Sequence, residues 1–214
     1  MREIMRVIKE YDERKKEILD TAERLFRIKG YDKCTIMDII KEVGIAKGTF
    51  YHYFKSKEEV LDAIVLRYVD IVRNNAEEIL LIENINPVEK LMRAFMAMQV
   101  TNQIDKDLLD NMHRVENALL HQKALNQLVT TMTPILVKVI EEGIEEKVWS
   151  CKYPLEYMQI FLVASLTLTD EGIFELDSDS QMSVMAAMIS MLEKMLNVPE
   201  DCFMKLFIEN FGKM

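Results

Sequence analysis

The segment from Gly44 to Lys57 combines groups that bind phosphate oxygens and the edges of bases. It reads GIAKGTFYHYFKSK, a glycine followed by interleaved apolar and polar residues. Ammonium, hydroxyl and imidazole groups of this kind donate hydrogen bonds to the nucleic-acid backbone and to bases. The polar members of the segment are Lys47, Thr49, Tyr51, His52, Lys55 and Lys57. Their chemistry predicts a nucleic-acid interface.

Two short helices are predicted to position these groups. Thr35 with Asp38 three residues later has a capping-box pattern and opens a helix that ends at Gly44. A second helix is predicted from Ala46 to about Tyr53. A short helix after a tight glycine turn is the arrangement that enters the major groove in helix-turn-helix proteins. The predicted packing residues are Ile36, Ile39, Val43, Ile45, Phe50 and Phe54.

The remaining sequence predicts further helices and no strands. Only 6 glycines and 4 prolines occur in 214 residues, which favours an all-α fold. Pro134 is expected either to kink its helix or to mark where that helix begins, and the sequence DSDS at 177–180 is expected to be a linker. The other predicted helices lie at about residues 11–29, 56 to 75 or 82, 87–103, 106–120, 124–146, 154–174, 181–196 and 199–211.

Charge is distributed unevenly along the chain and suggests two domains. The net charge is -9, but residues 1–57 hold 14 lysines and arginines against 10 acidic residues. A basic head on an acidic body is expected to present one end to a polyanion. We therefore predict a DNA-binding domain at 1–57 and a helical ligand-binding and dimerisation domain at 58–214.

Several other classes of protein are disfavoured. Cys34, Cys151 and Cys202 are far apart and show neither a disulfide pattern nor zinc-ligand spacing. His113 and His121 would lie about 12 Å apart on one helix, too far to share a metal ion. We expect no metal, no cofactor, no signal peptide and no membrane span, and hence a cytoplasmic protein.

An enzyme is the rival class of function, and the sequence offers little for it. No Ser/His/Asp order, glycine-rich phosphate loop or H-E-x-x-H motif occurs. The acidic pairs at 141–142 and 145–146 are typical of a solvated helix face. We therefore expect a protein that is not an enzyme.

The stretch from Gly44 to Lys57 resembles the signature of the TetR/AcrR family of transcriptional repressors, and the resemblance extends over about residues 11–62. It implies that Lys47 and Gly48 open the recognition helix, with Lys47 and Thr49 nearest the bases. It also implies phosphate contacts, made by Tyr51, His52, Thr35 and Lys57. Ala46 departs from the family, which commonly has a serine there, and this removes an N-cap hydroxyl.

The same resemblance implies a homodimer formed by the last two large helices. These correspond to Pro154–Phe174 and Gln181–Leu196. The second carries a stripe of methionines, which suits either a core or an adaptable partner surface, and we place Met188 in the dimer seam. The methionines of the stripe are Met182, Met185, Met188, Met191 and Met195.

A small-molecule pocket is expected between residues 87 and 168, where apolar helical faces carry a few polar groups. His113 and Glu116, one turn apart, could orient a polar group of a ligand, although such a pair is more often a surface contact. The predicted lining is Phe95, Met98, Met112, His113, Glu116, Met132, Leu136, Met158 and Phe161.

These features predict a DNA-binding transcriptional regulator, a repressor released from a palindromic operator by a small-molecule inducer. The alternative is an architectural or division-control DNA-binding protein on the same fold, without an inducer.

Overall fold

The computed structural model describes residues 2–98, 117–170, 173–203 and 205, with side chains from residue 11 onwards. Within these ranges the secondary structure consists of helices and contains no strand, which confirms the predicted all-α class. The helices are α1 (Arg2–Lys29), α2 (Ile36–Val43), α3 (Lys47–Tyr53), α4 (Lys57–Leu80), α5 (Pro87–Ala97), α6 (Ala118–Glu145), α7 (Pro154–Leu168) and α8 (Ser178–Leu196).

The chain divides into two compact units. The first contains residues 2–68 and 117–124, and the second contains residues 69–98 and the described residues from 125 onwards. Helices α4 and α6 each supply residues to both units. The predicted functional boundary between residues 57 and 58 is a different division, and it stays a prediction.

The core of the first unit is built from the apolar stripe of α1. Ile18, Ala22 and Phe26 recur at steps of four and are almost fully buried, as expected for one face of a helix. They share the buried interior with residues of the next three helices and of the loops between them. These residues are Ile39, Ile40, Phe50, Phe54, Val60, Leu61, Ile64 and Val65.

Charged side chains join α1 to its neighbours in the first unit. Arg24 pairs with Glu42 of α2 at 2.5 Å, and Arg67 of α4 pairs with both Asp20 and Glu23. Glu23 also accepts a hydrogen bond from the Tyr68 hydroxyl. Pairs that remain accessible to solvent stabilise a fold weakly, so the main consequence of these contacts is that the charges already have partners inside the domain.

Residues 117–124, which include the start of α6, also pack in the first unit. The amide oxygen of buried Asn117 accepts a hydrogen bond from the backbone N–H of Tyr31 at 3.0 Å. The Lys123 ammonium donates to Glu58 at 3.0 Å and to Asp62 at 2.6 Å, both on α4. The first unit thus includes a segment distant in sequence from the predicted DNA-binding residues.

The second unit has a larger apolar core drawn from α4 to α8 and from the chain after α8. Leu91, Leu136, Ile140 and Leu162 are completely buried in it. The Trp149 ring packs against the C-terminal turns of α6, and its indole N–H donates to the Ile140 carbonyl at 2.8 Å. A Cβ at Gly143 would lie 2.1 Å from the Trp149 ring, so this ring requires glycine there.

One ion pair lies against that core. Lys90 of α5 is buried, and its ammonium contacts the half-buried carboxylate of Glu142 on α6. A buried ammonium without its partner would be strongly destabilising, so this pair links α5 to α6 within the second unit.

Several helix boundaries differ from the predictions. Helix α1 begins at Arg2 rather than near residue 11, and α6 begins at Ala118 and continues through Pro134. Pro134 therefore does not mark the start of its helix. Helix α7 ends at Leu168, not near residue 174. The predicted linker at 177–180 is instead the start of α8, because the Asp177 side chain accepts a hydrogen bond from the Ser180 N–H and caps the helix.

The predicted starts of two helices are confirmed, and some predicted helical residues lie outside the described part of the chain. Helix α5 is capped as predicted, with the Asn86 side chain accepting from the Glu89 N–H at 2.9 Å and proline at the first helical position. Helix α4 begins beside Ser56, whose hydroxyl accepts from the Glu59 N–H. The predicted helical residues at 99–103, 106–116 and 206–211 lie outside the described residues. Among the helices described, none has the length and apolar character needed to cross a bilayer.

Candidate nucleic-acid interface

The turn between α2 and α3 has the geometry that the sequence predicts. Thr35 accepts a hydrogen bond from the Asp38 N–H, and Asp38 accepts one from the Thr35 N–H, which completes the capping box. Gly44 ends α2 with φ 74°, in the left-handed region where glycine is free of strain. Its N–H and that of Ile45 both donate to the Ile40 carbonyl. The turn to α3 is therefore fixed by backbone hydrogen bonds.

Helix α3 is held from behind by aromatic side chains. It has 7 residues, which is too short for independent stability. Phe50 is completely buried and Phe54, just after the helix, is 1% exposed. Ala46 at the N-cap makes no side-chain hydrogen bond, as expected for alanine in place of serine. Tertiary packing, not capping, therefore keeps α3 helical.

Most of the predicted DNA contacts are exposed. Thr49 and Lys57 are half-buried. An added Cβ at Gly48 would meet no protein atom within 4 Å, so the surface there is open to a partner. The exposed members of the set are Thr35, Lys47, Gly48, Tyr51, His52 and Lys55.

The cations of α3 and its C-terminal flank lack carboxylate partners among the described residues. Within the described ranges, neither Lys47 nor Lys55 takes part in an ion pair. The Lys55 ammonium donates to the Tyr51 carbonyl at 3.0 Å, and the Lys47 ammonium lies 5.9 Å from the centre of the Tyr51 ring. Both ammonium groups are thus exposed near Tyr51 and available to an anion.

The Thr35 hydroxyl already has partners within its own capping box. It donates to the Asp38 carboxylate at 2.7 Å and accepts from the Asp38 N–H at 3.1 Å. The hydrogen bonds from Thr35, with a further one from Lys29, hold the pKa of the Asp38 carboxyl well below its usual range. A phosphate contact by Thr35 stays a prediction, and in this structure it would require the hydroxyl proton to leave Asp38.

Lys57 faces the protein rather than solvent. Its ammonium donates to the carbonyl oxygens of Tyr31 at 2.7 Å and Cys34 at 3.0 Å, and lies 4.1 Å from the centre of the Tyr31 ring. These contacts brace the loop between α1 and α2 against the start of α4. The predicted phosphate contact by Lys57 is untested, and in this structure the ammonium is already bound to backbone carbonyls.

Sequence reasoning missed the contribution of α1 to this surface. The Tyr11 ring lies 4.6 Å from the Tyr53 ring and 5.8 Å from the His52 ring, centre to centre. Tyr11 precedes Lys15, Ile18 and Ala22 at helical spacing, so the periodicity of the buried stripe places it on the packing face of α1. Extending that stripe by two turns would have identified Tyr11.

The two helices predicted to dimerise expose apolar side chains. Helix α7 has one charged residue, Glu156, and is apolar around most of its circumference. Met188, which we placed in the dimer seam, is instead buried in the core of the second unit, because it lies on the side of α8 that faces that core. The exposed apolar residues of the two helices are Leu155, Ile160, Val163, Leu168 and Met182.

The structure gathers the described residues of the predicted ligand pocket in the core of the second unit. Met132, Leu136 and Met158 are completely buried there. Phe95 and Met98 pack against the same core, and the rings of Phe95 and Phe161 lie 4.9 Å apart. Met112, His113 and Glu116 lie outside the described residues.

The chain matches two family models. Residues 18–64 match the model described as bacterial regulatory proteins, tetR family, and residues 99–191 match the tetracyclin repressor-like C-terminal domain. The first match contains α2 and α3, and the second contains α7 and most of α8.

Two named relatives resemble the chain over different shares of its length. The transcriptional repressor KstR2 of Mycobacterium tuberculosis H37Rv is 35% identical over 100 residues, 43% of this chain and 46% of that protein. The chain thus matches about half the length of this relative. YhgD of Bacillus subtilis, an HTH-type transcriptional regulator, is 29% identical over 64% of this chain and 71% of its own length.

Solved structures share the fold at low identity. A TetR-family regulator from Syntrophomonas wolfei matches with a TM-score of 0.66 and 22% identity, over 84% of this chain and 95% of its own. Reduced NemR of Escherichia coli matches with a TM-score of 0.56 and 18% identity, over 87% and 99%. With a helix-turn-helix in one family model and a C-terminal helical region in the other, the chain belongs to the TetR family of bacterial regulatory proteins.

Proposed function

We propose that this protein is a sequence-specific DNA-binding transcriptional regulator, a repressor that binds a palindromic operator as a homodimer. The observation that carries the proposal is the outer surface of α3. Lys47 and Lys55 have no ion-pair partner among the described residues there, and Tyr51 and His52 are exposed beside them. The rear of the same helix is fixed by completely buried Phe50. A rigid support with exposed cations, hydroxyls and imidazole suits a major groove.

Several other cations of the first unit are already engaged by groups of the protein. Arg24, Lys29 and Arg67 pair with carboxylates of the same unit, and Lys57 binds backbone carbonyls. These groups are therefore less available to a polyanion than Lys47 and Lys55. The proposed DNA-binding domain is residues 1–57, with Lys47, Gly48 and Thr49 nearest the bases.

The dimer is proposed to form through the exposed apolar residues of α7 and α8. Ile160 is 54% exposed, Val163 51% and Met182 66%. A helix that is apolar on nearly all sides is expected to be covered on all sides. A two-fold dimer would place its recognition helices in successive major grooves, about 34 Å apart.

A small-molecule inducer is proposed to enter the core around Phe95, Phe161, Met158 and Met132. Methionine side chains repack at low cost, and aromatic and methionine surfaces suit an apolar ligand. A ligand favouring the DNA-free state by a factor of about 10⁴ would be needed to switch the protein from almost fully bound to almost fully released.

Binding to DNA is tested by selecting a target from random duplexes with the unaltered protein and measuring its affinity by fluorescence anisotropy. We expect affinity to fall by about 10³ to 10⁵ between 50 and 200 mM salt if six to ten phosphates are contacted.

Lys47→Ala should weaken binding to the selected duplex and relax base preference at one position by about 1–3 kcal/mol. Exposed Lys138 on α6 provides the matched control, Lys138→Ala. Failure to bind any duplex at low salt contradicts the proposal.

The inducer is tested separately on the protein–DNA complex. Apolar compounds are screened for thermal stabilisation of the free protein and then for release of the selected duplex. Release at concentrations that stabilise the free protein supports the repressor. DNA binding that no stabilising compound weakens supports the alternative, an architectural or division-control protein without an inducer.

A further inference from the structure

Tyr11, His52 and Tyr53 form a closed group of three rings, here called the aromatic triad. The ring centres lie 4.6 Å apart for Tyr11 and Tyr53, 5.8 Å for Tyr11 and His52, and 5.2 Å for His52 and Tyr53. Both contacts of His52 are edge-on, with interplanar angles of 85° and 84°. Edge-to-face packing is the favoured arrangement of aromatic rings, so His52 is held in a defined orientation although it is exposed.

The triad is the point where α1 meets the last turn of α3. Lys15, one turn after Tyr11 on the same face of α1, places its ammonium 5.9 Å from the centre of the Phe54 ring. Two successive turns of α1 therefore contact the end of α3 and the residue that follows it. Phe50 anchors the middle of α3 from behind, whereas Tyr11 contacts its C-terminal turn from the side.

A helix of 7 residues has little stability of its own, and its terminal turns fray most easily. A side chain that contacts DNA from a frayed turn must be ordered when it binds, which weakens binding. A ring that already orders this turn removes part of that penalty.

We propose that Tyr11 is a positioning residue for DNA binding: its ring fixes His52, directly and through Tyr53, in the orientation in which the imidazole contacts a phosphate. The inference rests on the proposed DNA-binding function and assigns to α1 a role in it. Packing of the ring, rather than the hydroxyl, performs this role.

The test measures binding of Tyr11→Ala and Tyr11→Phe to a duplex selected by the unaltered protein. Tyr11→Ala should weaken binding by about 2- to 10-fold, the range expected from the loss of aromatic pairs. Tyr11→Phe keeps the ring and should bind within 2-fold of the parent. Tyr153→Ala is the matched control, because Tyr153 is also exposed and packs edge-on against a ring, that of Tyr157, in the second unit.

A double-mutant cycle separates positioning from a general loss of structure. In a His52→Ala background, Tyr11→Ala should weaken binding by less than 2-fold, whereas in a Lys47→Ala background it should keep its full effect. Equal effects in both backgrounds overturn the proposal, as does full affinity of Tyr11→Ala or an equal loss in Tyr11→Phe. If the unaltered protein selects no duplex, the DNA-binding function itself fails, and this outcome is distinct from those.

Discussion

Two exposed surfaces of this chain differ in their chemistry. On α3 and its C-terminal flank the exposed groups include two lysines, a tyrosine hydroxyl and an imidazole, and the apolar residues lie behind them. On α7 and α8 the exposed groups include Leu155, Ile160, Val163 and Met182. Binding an anion would be favourable at the first surface, because its cations attract negative charge. Contact with another apolar surface would be favourable at the second, because it removes apolar side chains from water. One fold therefore presents two exposed surfaces of contrasting chemistry.

The largest effect is expected from removing the support behind α3. Phe50→Ala deletes a completely buried ring and should lower the free energy of unfolding of the first unit by about 3–5 kcal/mol. Urea unfolding, followed by hydrogen exchange to locate the loss, checks this. Phe174→Ala is the matched control, since Phe174 is 43% exposed, and it should change stability by less than about 0.5 kcal/mol. Equal effects would mean that Phe50 does not support α3.

The surface of α7 and α8 is tested by introducing a charge. Ile160→Glu should weaken dimerisation by about 2 kcal/mol or more, roughly 30-fold in the dissociation constant, because each subunit would bury a carboxylate. Sedimentation velocity over a concentration series measures the constant. Leu81→Glu is the control, because Leu81 is 80% exposed outside both helices. If both variants dimerise like the parent, the interface lies elsewhere.

Lys55 and Lys57 provide the sharpest comparison near α3. Lys57→Met removes an ammonium bound to the Tyr31 and Cys34 carbonyls and should lower stability by about 1.5 kcal/mol. Lys55→Met should leave stability unchanged and reduce the salt slope of DNA binding by about 1. Chemical unfolding and salt titrations measure the two effects. A reduced slope with unchanged stability for Lys57→Met would establish the phosphate contact that the sequence predicts.

The sequence predicts the first unit more completely than the second, for a physical reason. Thr35, Asp38 and Gly44 determine α2 through contacts within a few residues, and such local signals can be read directly. The position of the Lys57 ammonium depends on carbonyls more than twenty residues earlier in the chain. The position of the Tyr11 ring depends on a ring of α3. Spacing along α1 places Tyr11 on the packing face, but the partner of neither side chain follows from spacing on one helix.

In the second unit the same limit applies to α8. Five methionines at helical spacing indicate a stripe, but spacing alone does not say whether a stripe faces the core of its own unit or another molecule. Met188 proves to be buried, whereas Met182 is 66% exposed. The start of α8 was missed because its capping aspartate, Asp177, lies in a sequence that also suits a loop.

The smallest effect is expected from the two capping aspartates, one in each unit. Asp38 accepts hydrogen bonds from Thr35 and Lys29, and Asp177 accepts one from the Ser180 N–H. These bonds lower the pKa of both carboxyls, so each carboxylate stabilises its helix at neutral pH. This contribution is present above the pKa of the unfolded chain, about 4, and is lost as the pH falls through the lower pKa of the folded state.

Asp38→Asn and Asp177→Asn should therefore lower the urea midpoint at pH 7, and each difference from the parent should shrink steadily below pH 4. High salt should reduce the effect at Asp38, which has the Lys29 ammonium at 2.9 Å, more than the effect at Asp177, which accepts a hydrogen bond from the Ser180 backbone N–H. Unfolding curves at four pH values and two salt concentrations measure both trends. A difference that persists unchanged at pH 2 would mean that the carboxylate charge does not contribute to the cap.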